Sequence, residues 1–249
     1  METPTPARKS EETWAKKVER LSVSGASGEG MNMNVEGRQL TSPLNGFGQL
    51  WQKTYRVALS GVQVSPQEVV RLWKEKLPEL MPADSRFYPS ISGVKPGEIV
   101  LINASLPGIP GGMQVATGVL ILYADEVSFS VMTPEGHPEA GFNTFSAADE
   151  DGVTVCQIQS LARANDPIYE LGFRLMGGSR QQEAIWRYVL AKLSGQFGVR
   201  EPQITLQKVC VDTRLQWAEA KNIWHNAVIR TSIGVPARKI RGMFQRRAS

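Results

Sequence analysis

The sequence predicts an α+β protein in which a curved antiparallel sheet packs around one long helix, with an additional C-terminal extension. Several short segments alternate apolar and polar residues and are separated by turn residues, which is typical of neighbouring antiparallel strands. The longest helix-like segment, Arg180–Phe197, follows these strands and has an apolar stripe too wide to remain uncovered. The order of strand, helix, several strands and long helix therefore indicates one sheet that covers the last helix.

The first two predicted elements are a strand and a helix. The strand is Thr54–Ser60, whose apolar residues alternate as in a half-buried strand. The helix is expected to begin after Ser65, because a serine cap followed by Pro66 and an acidic residue is a typical helix start. Pro78 is expected to end it, since proline does not continue a helix.

The central part of the sequence predicts a series of strands joined by turns. The predicted strands are Glu98–Ser105, Met113–Ala124, a short strand around Phe129, Gly141–Ala147 and Thr154–Ala162. Leu106–Gly112 is rich in proline and glycine and predicts a loop, and Asp149–Gly152 predicts a hairpin turn. Runs of adjacent strands with short connections favour antiparallel pairing.

The long helix is expected to begin with Ser179 as its cap, because a serine hydroxyl accepts a free amide of the first turn. Ile185, Tyr188 and Val189 recur at helical spacing and should face the sheet. Beyond it, Gln203–Val211 predicts an extra strand and Leu215–Ile229 an extra helix.

Four regions follow from this pattern. Residues 1–48 are expected to be disordered or weakly helical, with one short helix at Thr13–Leu21 and a linker at Ser22–Gly48 that is rich in Gly, Ser and Asn. Residues 49–198 form the main domain, 199–235 a C-terminal extension of strand plus helix, and 236–249 a basic tail.

Charge and composition narrow the function classes. The formal net charge is +4 and becomes −1 without the five basic residues of the tail, so the body is nearly neutral and nucleic acid is not an expected partner. Cys156 and Cys210 show no paired spacing, which argues against a disulfide scaffold and a zinc site. We expect no metal and no cofactor. The polar N-terminal stretch lacks a secretory signal pattern, which predicts a cytoplasmic protein.

A segment in the middle of the chain resembles a known family. Residues 136–141 read Gly-His-Pro-Glu-Ala-Gly, and they are followed by Phe145 and by Arg163 at a strand end. Together with the order of elements, this segment resembles the helix-grip (START/polyketide-cyclase-like, SRPBCC) superfamily, and within it the bacterial domain-of-unknown-function family nineteen-ninety. The resemblance covers roughly residues 115–193, although Ala164 replaces the proline of the family's strand-end triplet. It implies a cavity between sheet and helix that suits an apolar or amphipathic small molecule, without implying any particular chemistry.

Three polar residues are candidates for chemistry. His137 and Glu139 can form a proton-transfer pair or a ligand anchor, because imidazole changes charge near neutral pH. The alternative is that His137 only hydrogen-bonds the backbone of a turn. Arg163 can clamp a carboxylate or phosphate, or it can pair with Asp166 nearby in sequence.

Apolar side chains on the predicted strands and helices can line a pocket or simply fill the core. The candidates for ligand contact are Tyr188, Ile185, Val189, Phe129, Phe145 and Trp73. Tyr188 is the favoured polar contact, because a buried tyrosine hydroxyl needs a hydrogen-bond partner.

Three functions are compatible with the sequence. The first is non-catalytic binding of a small apolar or amphipathic molecule between the sheet and the long helix. The second is a cyclase, hydratase or hydrolase on the same scaffold that uses His137. The third is a module that tethers the protein to a membrane or a partner through the basic tail. The sequence leaves the oligomeric state open.

Overall fold

Eight antiparallel strands form one sheet in the computed structural model, which describes residues 11–23, 30–106 and 113–234. The strands are β1 (Leu50–Ala58), β2 (Ser85–Tyr88), β3 (Ile99–Leu106), β4 (Met113–Ala124), β5 (Ser128–Met132), β6 (Glu139–Glu150), β7 (Val153–Ala164) and β8 (Thr205–Asp212). Strands β2 to β7 pair in chain order, and β1 lies between β7 and β8. The predicted α+β class with an antiparallel sheet is therefore confirmed.

Five α-helices of the described residues accompany the sheet, namely α1 (Pro66–Glu75), α2 (Leu77–Leu80), α3 (Pro167–Leu175), α4 (Gly178–Gln196) and a further helix over 227–234. The predicted start of α1 is confirmed, since the Ser65 hydroxyl accepts a hydrogen bond from the Glu68 amide at 3.2 Å. Helices α1 and α4 share a core with the sheet. In it Phe129 and Phe145 stack at 4.7 Å, and the edge of Trp73 meets Phe145 at 5.4 Å.

Helix α4 begins two residues earlier than predicted, and Ser179 is not its cap. The cap is Gly177, whose φ of 79° lies in the left-handed region that glycine adopts readily and that lets α3 turn into α4. The Ser179 hydroxyl instead accepts a hydrogen bond from Lys53 of β1 at 3.0 Å. The apolar face of α4 is buried, with Val189 among its residues, but Tyr188 lies on the exposed side.

Two elements are present where the sequence predicts none. Helix α3 lies between the last predicted strand of the sheet and the long helix. Its start is capped, because the Asp166 carboxylate accepts hydrogen bonds from the amides of Ile168 and Tyr169 at 2.8 and 3.1 Å. Pro167 occupies the first position of this helix. Strand β2 is a short edge strand that pairs with β3.

The N-terminal segment is packed against the sheet where it is described, so the prediction of disorder from Ser22 to Gly48 is wrong there. Val35 and Asn34 are fully buried. Val35 and Leu21 cover apolar side chains of β3 and β4 on the sheet face opposite α4. The predicted helix at Thr13–Leu21 is also wrong, because only Glu11–Thr13 is helical, as a 3₁₀ turn. Both faces of β3 and β4 carry apolar residues, and the second face needs this cover.

The C-terminal extension continues the sheet through β8, close to the predicted strand. The predicted helix Leu215–Ile229 is wrong: a 3₁₀ helix spans Trp217–His225 and a separate helix follows over 227–234. The predicted loop lies largely outside the described residues, at 107–112, and so does the basic tail. None of the helices within the described ranges is long and apolar enough to cross a membrane.

Candidate functional site

A cavity of about 190 Å³ lies between the sheet and helices α2, α3 and α4. Strands β2 to β6 provide one wall, and the first half of α4 provides the other. Most of the lining is apolar, including Met81, Phe87, Ile102, Val131, Phe145 and Ile185. These side chains alternate along their strands, so the inward face of each strand points to the cavity or to the core beneath α4.

Three buried polar atoms without a partner belong to residues that line the cavity. They are Thr117 Oγ1, Asn143 Oδ1 and Trp186 Nε1, and none has a hydrogen bond among the residues that the structure describes. Buried polar groups in proteins are nearly always paired, because leaving one unpaired costs about 1–3 kcal/mol. Three such atoms therefore belong to side chains that surround one cavity.

His137 lines the same cavity at the turn between β5 and β6. Its Nδ1 lies 3.0 Å from both the amide nitrogen and the carbonyl oxygen of Glu139, so the backbone holds the ring in place. Burial lowers the pKa of His137 to about 4, and the ring is therefore neutral at pH 7. Its other nitrogen, Nε2, has no hydrogen-bond partner within the described part of the chain.

The turn that carries His137 is held by distant residues. The Gly136 carbonyl accepts hydrogen bonds from the Tyr169 hydroxyl at 3.2 Å and from the Ala227 amide at 2.9 Å. The same Tyr169 oxygen accepts the Val228 amide at 3.2 Å. Gly136 has a φ of 82°, and a Cβ there would lie 2.0 Å from the His225 carbonyl oxygen, so only glycine fits. Helix α3 and the C-terminal extension thus fix one end of the site.

Glu139 begins β6 and also lines the cavity. Burial raises the pKa of its carboxyl above the ordinary value, while the charge of Lys53 and a hydrogen bond with the Gln182 side chain lower it in part. The His137 ring contacts the backbone of Glu139, and the Glu139 carboxyl is hydrogen-bonded to Gln182. The predicted pair is therefore brought to one cavity, but without the direct side-chain hydrogen bond that a proton-transfer dyad would use.

Arg163 lies beside a second, more polar cavity of about 300 Å³. It is 2 % exposed, and its Nη2 lies 3.3 Å from Asp212 Oδ2 of β8. The predicted pairing with Asp166 is wrong, because that carboxylate caps α3 and accepts a hydrogen bond from Asn226 at 2.8 Å. Hydrogen bonds from Arg214 and Arg163 hold the pKa of Asp212 below its ordinary value.

The aromatic and aliphatic candidates divide into three groups. Phe145 and Ile185 line the first cavity. Trp73, Phe129 and Val189 are fully buried in the core and are not part of either cavity lining. Tyr188 is 42 % exposed, and its hydroxyl lies 3.2 Å from Lys192 Nζ, so the prediction that it makes the polar contact inside is wrong.

Four polar lining residues are not among the residues predicted for the site, namely Thr117, Asn143, Gln182 and Lys53. Strand alternation carried a signal for one of them, because Asn143 is two residues from Phe145 and thus on the same inward face. The positions of Gln182 and Lys53 depend on how α4 crosses β1, which alternation does not specify.

The possible metal ligands and the Cys156 thiol were also compared with what metal binding and thiol chemistry require. No cluster of three or more His, Cys, Asp or Glu side chains suited to a metal ion occurs in the described ranges. Cys156 is buried in the core, and burial raises its pKa to about 12, so its thiol stays protonated and unreactive at pH 7.

Comparisons with known proteins give distant structural similarities only. No protein-family model matches the chain, and none of the curated proteins matches it. The resemblance to family nineteen-ninety therefore stays a prediction. Among solved structures, the di-domain ARO/CYC StfQ from the steffimycin biosynthetic pathway is similar with a TM-score of 0.46 and 12 % identity, over 61 % of this chain and 52 % of that one. This chain thus spans about half the length of that protein.

Two further structures show similarity at the same level. Major latex-like protein 151 from Panax ginseng has a TM-score of 0.40 and 12 % identity, over 60 % of this chain and 99 % of that one. Protein Ms6760 from Mycobacterium smegmatis has a TM-score of 0.41 and 13 % identity, over 66 % and 98 %. The strand order and the core shared by the sheet and α4 confirm the predicted arrangement of an antiparallel sheet with a long helix packed on it.

Proposed function

We propose that the protein binds a small, largely apolar molecule in the cavity between the sheet and α4. The size of the cavity supports this proposal. A protein cavity of about 150 Å³ lined by aliphatic and aromatic side chains accepts benzene, and the volume here is about 190 Å³. The cavity therefore suits a molecule whose apolar part is about the size of one or two fused rings.

The observation that carries the proposal is the set of unpaired polar atoms on residues of a mostly apolar wall. Thr117 Oγ1, Asn143 Oδ1 and Trp186 Nε1 offer two acceptors and one donor, to which the hydroxyl of Thr117 adds a second donor. A ligand with a polar substituent would satisfy them and recover the free energy that their burial costs. This combination of apolar walls with a few oriented polar groups is typical of ligand sites.

Binding is favoured over catalysis by the state of His137. Its ring is neutral at pH 7 and is held by the backbone of Glu139, while the Glu139 carboxyl is hydrogen-bonded to Gln182. Such a ring is better suited to orient a ligand through Nε2 than to exchange protons with the neighbouring acid. The enzyme alternative from the sequence remains a prediction without a specific observation in its favour.

The test uses two tryptophan substitutions on the same helix. Ile185→Trp adds volume inside the cavity, and Tyr188→Trp places the same side chain on the exposed face. Molecules that copurify with each protein would be identified by native mass spectrometry and organic extraction. Ring-sized naphthalene derivatives would be titrated by calorimetry.

We expect the wild type and Tyr188→Trp to bind at least one such molecule with a stoichiometry of one, and Ile185→Trp to lose this binding. The proposal is wrong if no compound binds to the wild type and extracts are empty. It is also wrong if Ile185→Trp binds as the wild type does while remaining folded by circular dichroism.

A further inference from the structure

The second cavity adjoins the first and differs from it in chemistry. Glu139, Phe173 and Gln182 line both cavities, so the two spaces are separated by side chains of a single layer. The first cavity is mostly apolar. The second is lined by charged side chains from β1, β7 and α3 together with the start of α4. A molecule that reaches past Gln182 would thus pass from apolar to charged surroundings.

Three cations face the second cavity, namely Lys53, Arg163 and Arg174. Lys53 is 8 % exposed. Its Nζ donates hydrogen bonds to the Ser179 hydroxyl at 3.0 Å and to the Gln182 side-chain oxygen at 2.9 Å. Its nearest carboxylate, Glu183, lies 3.5 Å away and also receives Lys208 at 3.1 Å. An ammonium group has three donors; two of them are occupied by neutral oxygens here, and the Glu183 carboxylate lies within ion-pair distance.

The two arginines are only partly paired. Arg163 is buried, and its Nε has no hydrogen-bond partner among the residues described. Its Nη2 lies 3.3 Å from Asp212 Oδ2, and its Nη1 donates to the side-chain oxygen of Gln216 at 2.7 Å. Arg174 Nη1 lies 3.6 Å from Glu170 Oε1, which is a loose contact, and the Arg174 side chain is 54 % exposed. A guanidinium group presents five donors in a planar fork, so Arg174 retains capacity for an anionic oxygen, while Arg163 contributes mainly its positive charge.

We propose that the ligand of this protein is an amphipathic acid whose carboxylate or phosphate group lies in the second cavity, near Lys53, Arg163 and Arg174, while its apolar part fills the first. This inference rests on the proposed function. It adds the class of the ligand, since the apolar cavity alone would accept neutral molecules equally well.

Two carboxyl groups also line the second cavity, and they bear on the charge that a ligand would meet. Burial raises the pKa of Glu139 and of Glu170 above the ordinary value for glutamate. Each is therefore easier to protonate than a free glutamate. Together with Glu183 beside Lys53 and Asp212 beside Arg163, they compensate part of the positive charge of the three cations.

The experiment compares three ligands with one ring system. Naphthoic acid, naphthyl phosphate and naphthyl methanol share the apolar part and differ in the head group. Calorimetric titration at pH 7.5 should show that at least one acid binds about ten times more tightly than the alcohol, since hydrogen bonds to charged groups contribute about 1.5–3 kcal/mol. Which acid binds more tightly distinguishes a carboxylate from a phosphate head group.

Two arginine variants test the position of the head group. Arg174→Gln removes a cation from the second cavity, and Arg71→Gln removes an exposed arginine from a similar i,i+4 pair on α1, outside both cavities. We expect Arg174→Gln to reduce the preference for the acid severalfold and Arg71→Gln to leave it unchanged. Lys53→Met should reduce it further, with folding checked by circular dichroism.

The outcomes separate this inference from the proposed function. If the alcohol binds as tightly as both acids, or if Arg174→Gln and Lys53→Met retain the full preference for the acid, the inference is wrong and the proposed function stands. If none of the three compounds binds in a manner that Ile185→Trp abolishes, the proposed function is itself wrong. Tight acid binding that both Ile185→Trp and Arg174→Gln weaken supports the two together.

Discussion

Two threonines on the cavity wall allow the idea of unpaired lining groups to be tested by stability alone. Thr117 and Thr133 are 2 % and 3 % exposed, and both line the cavity. Thr117 Oγ1 has no partner in the described part of the chain. Thr133 Oγ1 accepts the Gly141 amide at 3.0 Å and donates to the Gly141 carbonyl at 3.1 Å. Valine has nearly the shape of threonine, so each substitution removes a hydroxyl without opening a large void.

The two substitutions should have opposite effects on the free energy of unfolding. Thr117→Val removes a buried group that lacks a partner, and we expect a gain of roughly 1 kcal/mol in the ligand-free protein. Thr133→Val leaves the buried Gly141 amide without its acceptor, and we expect a loss of about 1–3 kcal/mol. The carbonyl of Gly141 keeps the Thr133 amide at 3.1 Å, so only the amide is orphaned. The difference between the variants should be about 2–4 kcal/mol.

Equilibrium urea unfolding measures both values, provided that the dependence of free energy on urea is the same for the three proteins. With ligand present, Thr117→Val should bind about ten times more weakly if its hydroxyl contacts the ligand. A loss of stability in Thr117→Val equal to that in Thr133→Val would refute the reasoning, because the Thr117 hydroxyl would then be paired in the folded protein.

Three further outcomes follow from groups described above. Burial lowers the pKa of His137 to about 4, so its contribution to stability is full above about pH 6.5 and falls as the pH drops toward 4. Between these pH values, the free energy of unfolding in urea should decrease by up to about 3 kcal/mol more for the wild type than for His137→Asn. We expect Gly152→Ala to cost about 1 kcal/mol and Gly136→Ala at least twice as much. Both glycines have a positive φ, but of the two only Gly136 faces a backbone oxygen. Equal decreases in the free energy of unfolding in urea would contradict the packing described for this turn. A thiol reagent at pH 8 should modify Cys210 in the folded protein and Cys156 only after unfolding, since Cys156 is fully buried and Cys210 is not. Rapid labelling of both cysteines would show that the core opens readily.

Caps, strand propensity and turn residues correctly predicted the elements that depend on interactions between residues close together in the sequence. The start of α1 depends on Ser65 and Pro66, and the strand β4 coincides with the predicted Met113–Ala124, because its long β-branched run has no competing structure. The hairpin between β6 and β7 depends on the positive φ values of Asp151 and Gly152, which the turn sequence itself favours. These features needed no knowledge of distant contacts.

The wrong predictions mostly concern residues whose positions depend on contacts with residues far away in the sequence. Val35 is buried because the outer face of β3 and β4 is apolar, and this face was not recognised as needing cover. Tyr188 and Ile185 lie three residues apart on α4, yet only Ile185 faces the cavity, since the rotation of the helix depends on its packing against β1 and α3. The missed α3 is different, because Asp166 followed by Pro167 is a helix start that the sequence did display.

The hydrogen bonds that the Gly136 carbonyl accepts from Tyr169 and Ala227 have a consequence for biosynthesis. All eight strands and helix α4 have left the ribosome before residue 227 emerges. Until then a nascent chain can pair most of its sheet but cannot complete the anchoring of the His137 turn. The turn that carries His137 is therefore fully anchored only after residue 227 has left the ribosome.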